Sequence, residues 1–158
     1  MKKTGLFLLV LVLALLCVCT PTPPNAPRTL SLHYRGVDLT VGMTADAVTA
    51  RLGDDYTVTE AESCAGQGKD RMITYPSVRL YVFAPVDGEA VISSVSYTDD
   101  GVQTADGLHI GSTPEDVIAV MGEPDEKSDA RLVYRGEGAV LTFGLRDGAV
   151  VSIVLAGE

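Results

Sequence analysis
The sequence predicts an α+β fold of two tandem repeats, each a short helix followed by an antiparallel β-meander, with the helices on one face of the sheet. Three observations lead there. Shifting the chain by 69 residues superposes Leu39–Gly53 on Leu108–Gly122, with identities at Leu39/Leu108, Gly42/Gly111, Thr44/Thr113, Val48/Val117, Ala50/Ala119 and Gly53/Gly122. Six identities in fifteen positions exceed the roughly one that average composition gives, which marks an internal repeat. Each copy also carries helix start and stop signals, and each is followed by apolar segments broken by Asp-Gly or Gly-rich turns.

In residues 1–19, Lys2 and Lys3 precede an unbroken apolar run from Leu6 to Val18, the charged-then-apolar layout of an export signal. Thirteen helical residues rise about 20 Å against a hydrocarbon core of about 30 Å, too short for a stable span. Residues 20–29 hold Pro21, Pro23, Pro24 and Pro27, which favour extended polyproline II and read as a tether.

Residues 30–100 form the first expected repeat and residues 101–158 the second. In the first, Thr44 is placed to cap a helix, Asp46 lies near the positive end of its dipole, Met43 can staple onto Val48, and Gly53 closes it in the left-handed region. In the second, Thr113 caps, Pro114 takes the first helical position, Glu115 and Asp116 follow, and Gly122 with Pro124 stops the helix. Strands are expected at Arg71–Thr74, Val78–Phe83 and Val91–Tyr97, then at Arg131–Tyr134, Ala139–Leu145 and Val150–Leu155. Asp87-Gly88, Asp147-Gly148 and Gly136-Glu137-Gly138 supply hairpin turns. Units of this size are too small for robust separate cores, so they are expected to share an interface, leaving the opposite sheet face for a partner.

The chain has 158 residues, with 21 acidic side chains against 12 Lys and Arg. Loss of the export signal would remove Lys2 and Lys3 and no acid, leaving 10 basic residues against 21 acidic, a formal −11. Such a domain is repelled by nucleic acid and by anionic headgroups, which excludes both as expected ligands and makes lipid the expected anchor.

The segment Leu16-Cys17-Val18-Cys19 resembles the lipobox of bacterial lipoproteins, which implies lipidation at Cys19; it departs from that pattern at Val18, where a small residue is usual. The motifs Val41-Gly42-Met43-Thr44 through Leu52-Gly53 and Ile110-Gly111-Ser112-Thr113 through Gly122-Glu123-Pro124 resemble the repeat of the β-lactamase inhibitor protein family and of small outer-membrane lipoproteins of the SmpA/OmlA type. That resemblance implies a noncatalytic envelope protein whose antiparallel sheet grips another protein. Glu62-Ser63-Cys64-Ala65, Gln67-Gly68, Asp70 and Thr74-Tyr75 are similar to a motif of uncharacterised lipoproteins of gut Firmicutes, which also carry a stretch like Ser93–Asp100. It implies location and fold, and leaves Ser63, Cys64, Gln67, Gly68, Asp70 and Tyr75 as a candidate motif without an assigned role.

Candidate chemistry is sparse. Cys64 reads as a small side chain packed in a turn or, more sharply, as a reactive thiol. A cysteine nucleophile wants a histidine, and only His33 and His109 exist, neither within a hydrolase signature. The two histidines lack the close spacing of a zinc site, and Asp54-Asp55, Asp99-Asp100 and Asp125-Glu126 lack that of a calcium loop, so no metal and no cofactor is expected. Tyr75, Tyr81, Phe83, Tyr97, Tyr134 and Phe143 fall in strands, where any that project from an uncovered face would serve as interface anchors. The expectation is a noncatalytic protein on the extracytoplasmic face of the bacterial membrane, held by an N-terminal lipid or an uncleaved signal, that binds another envelope or secreted protein. The alternative is a thiol-dependent enzyme or redox protein using Cys64.

Overall fold
The computed structural model describes residues 28–64 and 67–158. The expected export signal, Cys17, Cys19, most of the tether, and Ala65 and Gly66 of the motif loop lie outside the described residues. A short ribbon opens the fold: β1 (Leu32–Tyr34) pairs antiparallel with β2 (Val37–Leu39), joined by Arg35 and Gly36, both at positive φ as a type I′ turn requires. Helix α1 (Ala45–Leu52) leads into β3 (Thr57–Glu62), β4 (Gly68–Tyr75), β5 (Val78–Pro85) and β6 (Val91–Tyr97). Helix α2 (Pro114–Met121) leads into β7 (Glu126–Ser128), β8 (Arg131–Gly136), β9 (Ala139–Arg146) and β10 (Ala149–Gly157).

The helices stand where their boundary signals place them. At α2 the Thr113 hydroxyl accepts the Asp116 N–H at 3.1 Å while the Asp116 carboxylate accepts the Thr113 N–H at 3.0 Å, a reciprocal capping box. At α1 the Thr44 side chain makes no such bond. Gly53 and Gly122 follow the two helices at φ 84° and 78° with extended ψ, a region open to glycine alone. Tyrosines seal both ends: Tyr75 Oη donates to Gly53 O and Tyr134 Oη to Gly122 O, each at 3.0 Å. These bonds satisfy carbonyls that helix termini leave free.

The expected fold class needs correction. Among the described residues, ten strands against two eight-residue helices make the protein mostly β, and β3 to β10 form one continuous antiparallel sheet in the order β3-β4-β5-β6-β10-β9-β8-β7. Two helix-then-meander repeats, each an α+β unit, do not describe it. The strands missing from the expectation are short or wholly exposed: β1, β2 and β7 have three residues each, and every residue of β3 is exposed. A period-two signal needs four or more residues with one buried face. The decisive pairing is β6 with β10, where Tyr97 faces Ile153 and Val95 faces Leu155, which fuses the strands after α1 with those after α2.

One core lies on one face of this sheet. Leu80, Val95, Tyr134, Leu141, Phe143, Ile153 and Leu155 point from the strands into a cluster that also takes Val48 of α1, Val117 of α2, and Leu32 and Leu39 of the β1–β2 ribbon. Alternation along each strand then turns the intervening residues to the other face. Among the described residues no helix is long and apolar enough to cross a membrane.

Candidate functional site
Among the described residues no helix or ribbon covers the face opposite the core, and register defines its surface. One row runs across all eight strands as Thr57, Thr74, Arg79, Ser96, Val154, Thr142, Val133 and Glu126. The adjoining row runs Thr59, Met72, Tyr81, Ser94, Ala156, Val140 and Arg135. Helices and ribbon bury their apolar residues in the core, so these rows look outward. Most of their residues are half-buried by their neighbours, whereas Tyr81 is 40% exposed.

Ion pairs gather at one end of the face. At the β7–β8 end, Glu126 is bonded to Arg135 at 2.5 Å and to Arg131 at 3.2 Å, and Arg135 reaches Glu158 at 3.4 Å. The Arg135 guanidinium holds the Glu126 carboxyl below the usual carboxylate range. Glu126 lies opposite Val133 in register, and the two arginines flank Val133 along β8, so their stems help leave it only 4% exposed. On β5, third of the eight strands, Arg79 makes no ion pair among the described residues, and its Nε is buried without a hydrogen-bond partner. Asp70 is exposed on the same face, opposite Phe83.

The candidate motif does not converge on one point. Ser63 N donates to Gly68 O at 3.0 Å, closing the β3–β4 turn, with Cys64 and Gln67 exposed in it. Gly68 at φ 147° is needed for packing, since a Cβ there would overlap the Ala84 carbonyl oxygen and stand 2.8 Å from Pro85 Cα. Tyr75, at the far end of β4, is buried, packs against Tyr34 and Tyr56, and donates to Gly53 O. It belongs to the core. The reading of Cys64 as a packed turn residue is corrected by its exposure.

No dyad forms around Cys64. Gly68 pairs with Pro85 at the Cys64 end of the strands, while Tyr75, Val78 and Tyr97 lie at the other end. That other end holds the histidines, because Tyr97 Oη donates to His33 O at 2.8 Å and lies 3.1 Å from Gln103 O, and Gln103 bridges to His109. Seven strand steps separate the two ends by about 23 Å. His33 Nδ1 lies 2.8 Å from Asp38 Oδ1, and His109 Nδ1 lies 3.1 Å from Gly107 O and 3.3 Å from the buried Ser112 Oγ. Among the described residues no group of three His, Cys, Asp or Glu side chains is arranged to hold a metal. A surface hollow of about 430 Å³ between Asp54 and Pro76 brings together carboxylates, threonines and tyrosines without a nucleophile and its base.

Sequence reasoning reached Tyr81 as a candidate anchor and missed Arg79. Its place between the buried Val78 and Leu80 in an alternating strand marks it only as facing away from the core, and not as lacking a partner. No family model matches the chain, and no curated protein matches it. Among solved structures, the chain is similar to a DUF4309 family protein (YjgB) from Bacillus subtilis subsp. subtilis str. 168, with 18% identity, covering 73% of this chain and 78% of that one at a TM-score of 0.41.

Proposed function
We propose that the chain is a noncatalytic extracytoplasmic protein, lipid-anchored at Cys19, that binds another envelope or secreted protein through the open sheet face. The observation that carries this reading is a face eight strands wide that presents Tyr81, Met72 and Arg79 amid hydroxyls. Tyrosine and arginine dominate binding energy where they are desolvated by a partner, so their pairing on a strand flanked on both sides by others suits an interface.

The test is site-specific photo-crosslinking in cells. A photoreactive residue at Ser96 should trap a discrete protein that a probe at Val58 on the edge strand β3 does not, and a lysine at Ser94 should abolish the adduct while the urea midpoint stays put. Equal trapping at both positions would refute the reading. Intact mass of the membrane-extracted protein tests the anchor, since an acylated chain beginning at Cys19 is the expected species. The thiol reading has in its favour the exposure of Cys64. Full retention of partner binding after Cys64→Ser would count against it.

A further inference from the structure
Building on the open face as a protein-binding surface, we infer that its anchor point is an anion subsite: Arg79, flanked by Thr74, Ser94 and Ser96, seats an Asp or Glu carboxylate of the bound partner, with an apolar side chain beside it on Met72 and Tyr81. Arg79 lies directly opposite Thr74 on β4 and Ser96 on β6, and Ser94 lies one step along, opposite Tyr81. None of these three hydroxyls makes a side-chain hydrogen bond among the described residues. All four side chains therefore offer N–H or O–H groups with no protein acceptor, around a guanidinium whose Nε is already out of contact with solvent.

Arg51, Arg79, Lys127 and Arg146 make no ion pair among the described residues, and of these four Arg79 alone is half-buried while the others are exposed. Arg131 and Arg135, on the same face, are both held by Glu126. A guanidinium that is half-buried and left without an acceptor is destabilised until one arrives, and a carboxylate matches its planar fork with two parallel bonds. Met72 and Tyr81, directly opposite each other one row away, provide the apolar ledge that a protein segment can use and a solvated ion cannot.

A displayed library of random peptides, selected on the full chain, tests this. The expected peptides carry an acid next to an apolar residue and bind Arg79→Gln about tenfold or more weakly. Replacing the peptide acid by its amide should cost about as much on the unmodified chain and less than about twofold on Arg79→Gln, because the two changes remove one interaction. Arg79→Lys, which keeps the charge and loses the fork, should fall between them, and a urea midpoint no lower than that of the unmodified chain in both variants shows that folding is intact. Peptides lost on Tyr81→Ala and Ser94→Lys but indifferent to Arg79→Gln would overturn the subsite and leave the binding face standing. No recovered peptide, or indifference to all of these changes, would overturn both. Arg79-dependent flotation with phosphatidylglycerol vesicles, without an acid requirement in any peptide, would assign the subsite to a headgroup phosphate and overturn the proposal.

Discussion

Replacing Tyr134 by phenylalanine removes one oxygen and keeps the ring, which isolates the bond that seals α2. The ring is 0% exposed and stands edge-on to Phe143 at 5.9 Å between centroids, and neither contact needs the hydroxyl. What is lost is the 3.0 Å bond to Gly122 O, the carbonyl that follows the last turn of the helix. A neutral hydrogen bond of this kind is worth about 1 kcal/mol net, rising toward about 2 where the abandoned acceptor stays out of water. With a urea m-value of about 1.5 kcal/mol/M, a loss of about 1 kcal/mol lowers the midpoint by roughly 0.7 M. Tyr75→Phe, which removes the matching bond to Gly53 O, should shift the midpoint equally. Far-UV circular dichroism through a urea titration reads both, with m unchanged. A shift below about 0.2 M in both variants would refute the sealing role and mean that water serves these carbonyls equally well.

Alkali should unfold the protein through its buried phenols. Burial pushes Tyr75, Tyr97 and Tyr134 up to about 12 from the ordinary 10.0. The native state then holds protons that the unfolded state has released, so their contribution is complete below pH 10 and is lost as pH rises through 12. Absorbance at the phenolate band should rise together with loss of circular dichroism, and independent titration near pH 10 with the fold intact would contradict this. Thr113→Ala should cost about 1 kcal/mol by removing the capping box, whereas Thr44→Ala, where no cap bond exists, should stay within a few tenths; equal losses in urea melts would mean the caps are not what separates them. Cys64 should alkylate with iodoacetamide in the folded state as fast as in urea, and protection of the native thiol, read by mass, would count against its exposure.

The helices were legible because their signals are local. Thr113, Pro114 and Gly122 lie within ten residues and act on one helix. Even so, the capping box uses Asp116 where glutamate or glutamine is the usual signal. Long strands with one buried face, such as β9 and β10, were legible by alternation. Asp147-Gly148 closes a two-residue hairpin between them, while Asp87-Gly88 sits inside a longer β5–β6 connection. The short strands carried too few residues to show a period, and the Arg35-Gly36 turn that joins the first two went unread because Arg is an uncommon residue at positive φ. The union of β6 with β10 has no local signal, since each strand is equally compatible with being an edge. Arg79 was hidden for the same reason: a polar residue within a strand becomes notable only when the neighbouring strands, and what they lack, are known.

The place of β10 sets the order in which this sheet can be completed. It lies between β6 and β9, yet it is the last of the ten strands to be synthesised. Through most of synthesis β6 is therefore a bare margin, carrying Ile92 and Val95 with no neighbour on one side. Its mate arrives only when residue 153 can meet residue 97, a long loop to close and a slow step in folding. A nascent chain emerging N-terminus first would spend that interval with a strand open to mispairing. Stalling ahead of Ala149 would leave two incomplete halves with no sheet joining them.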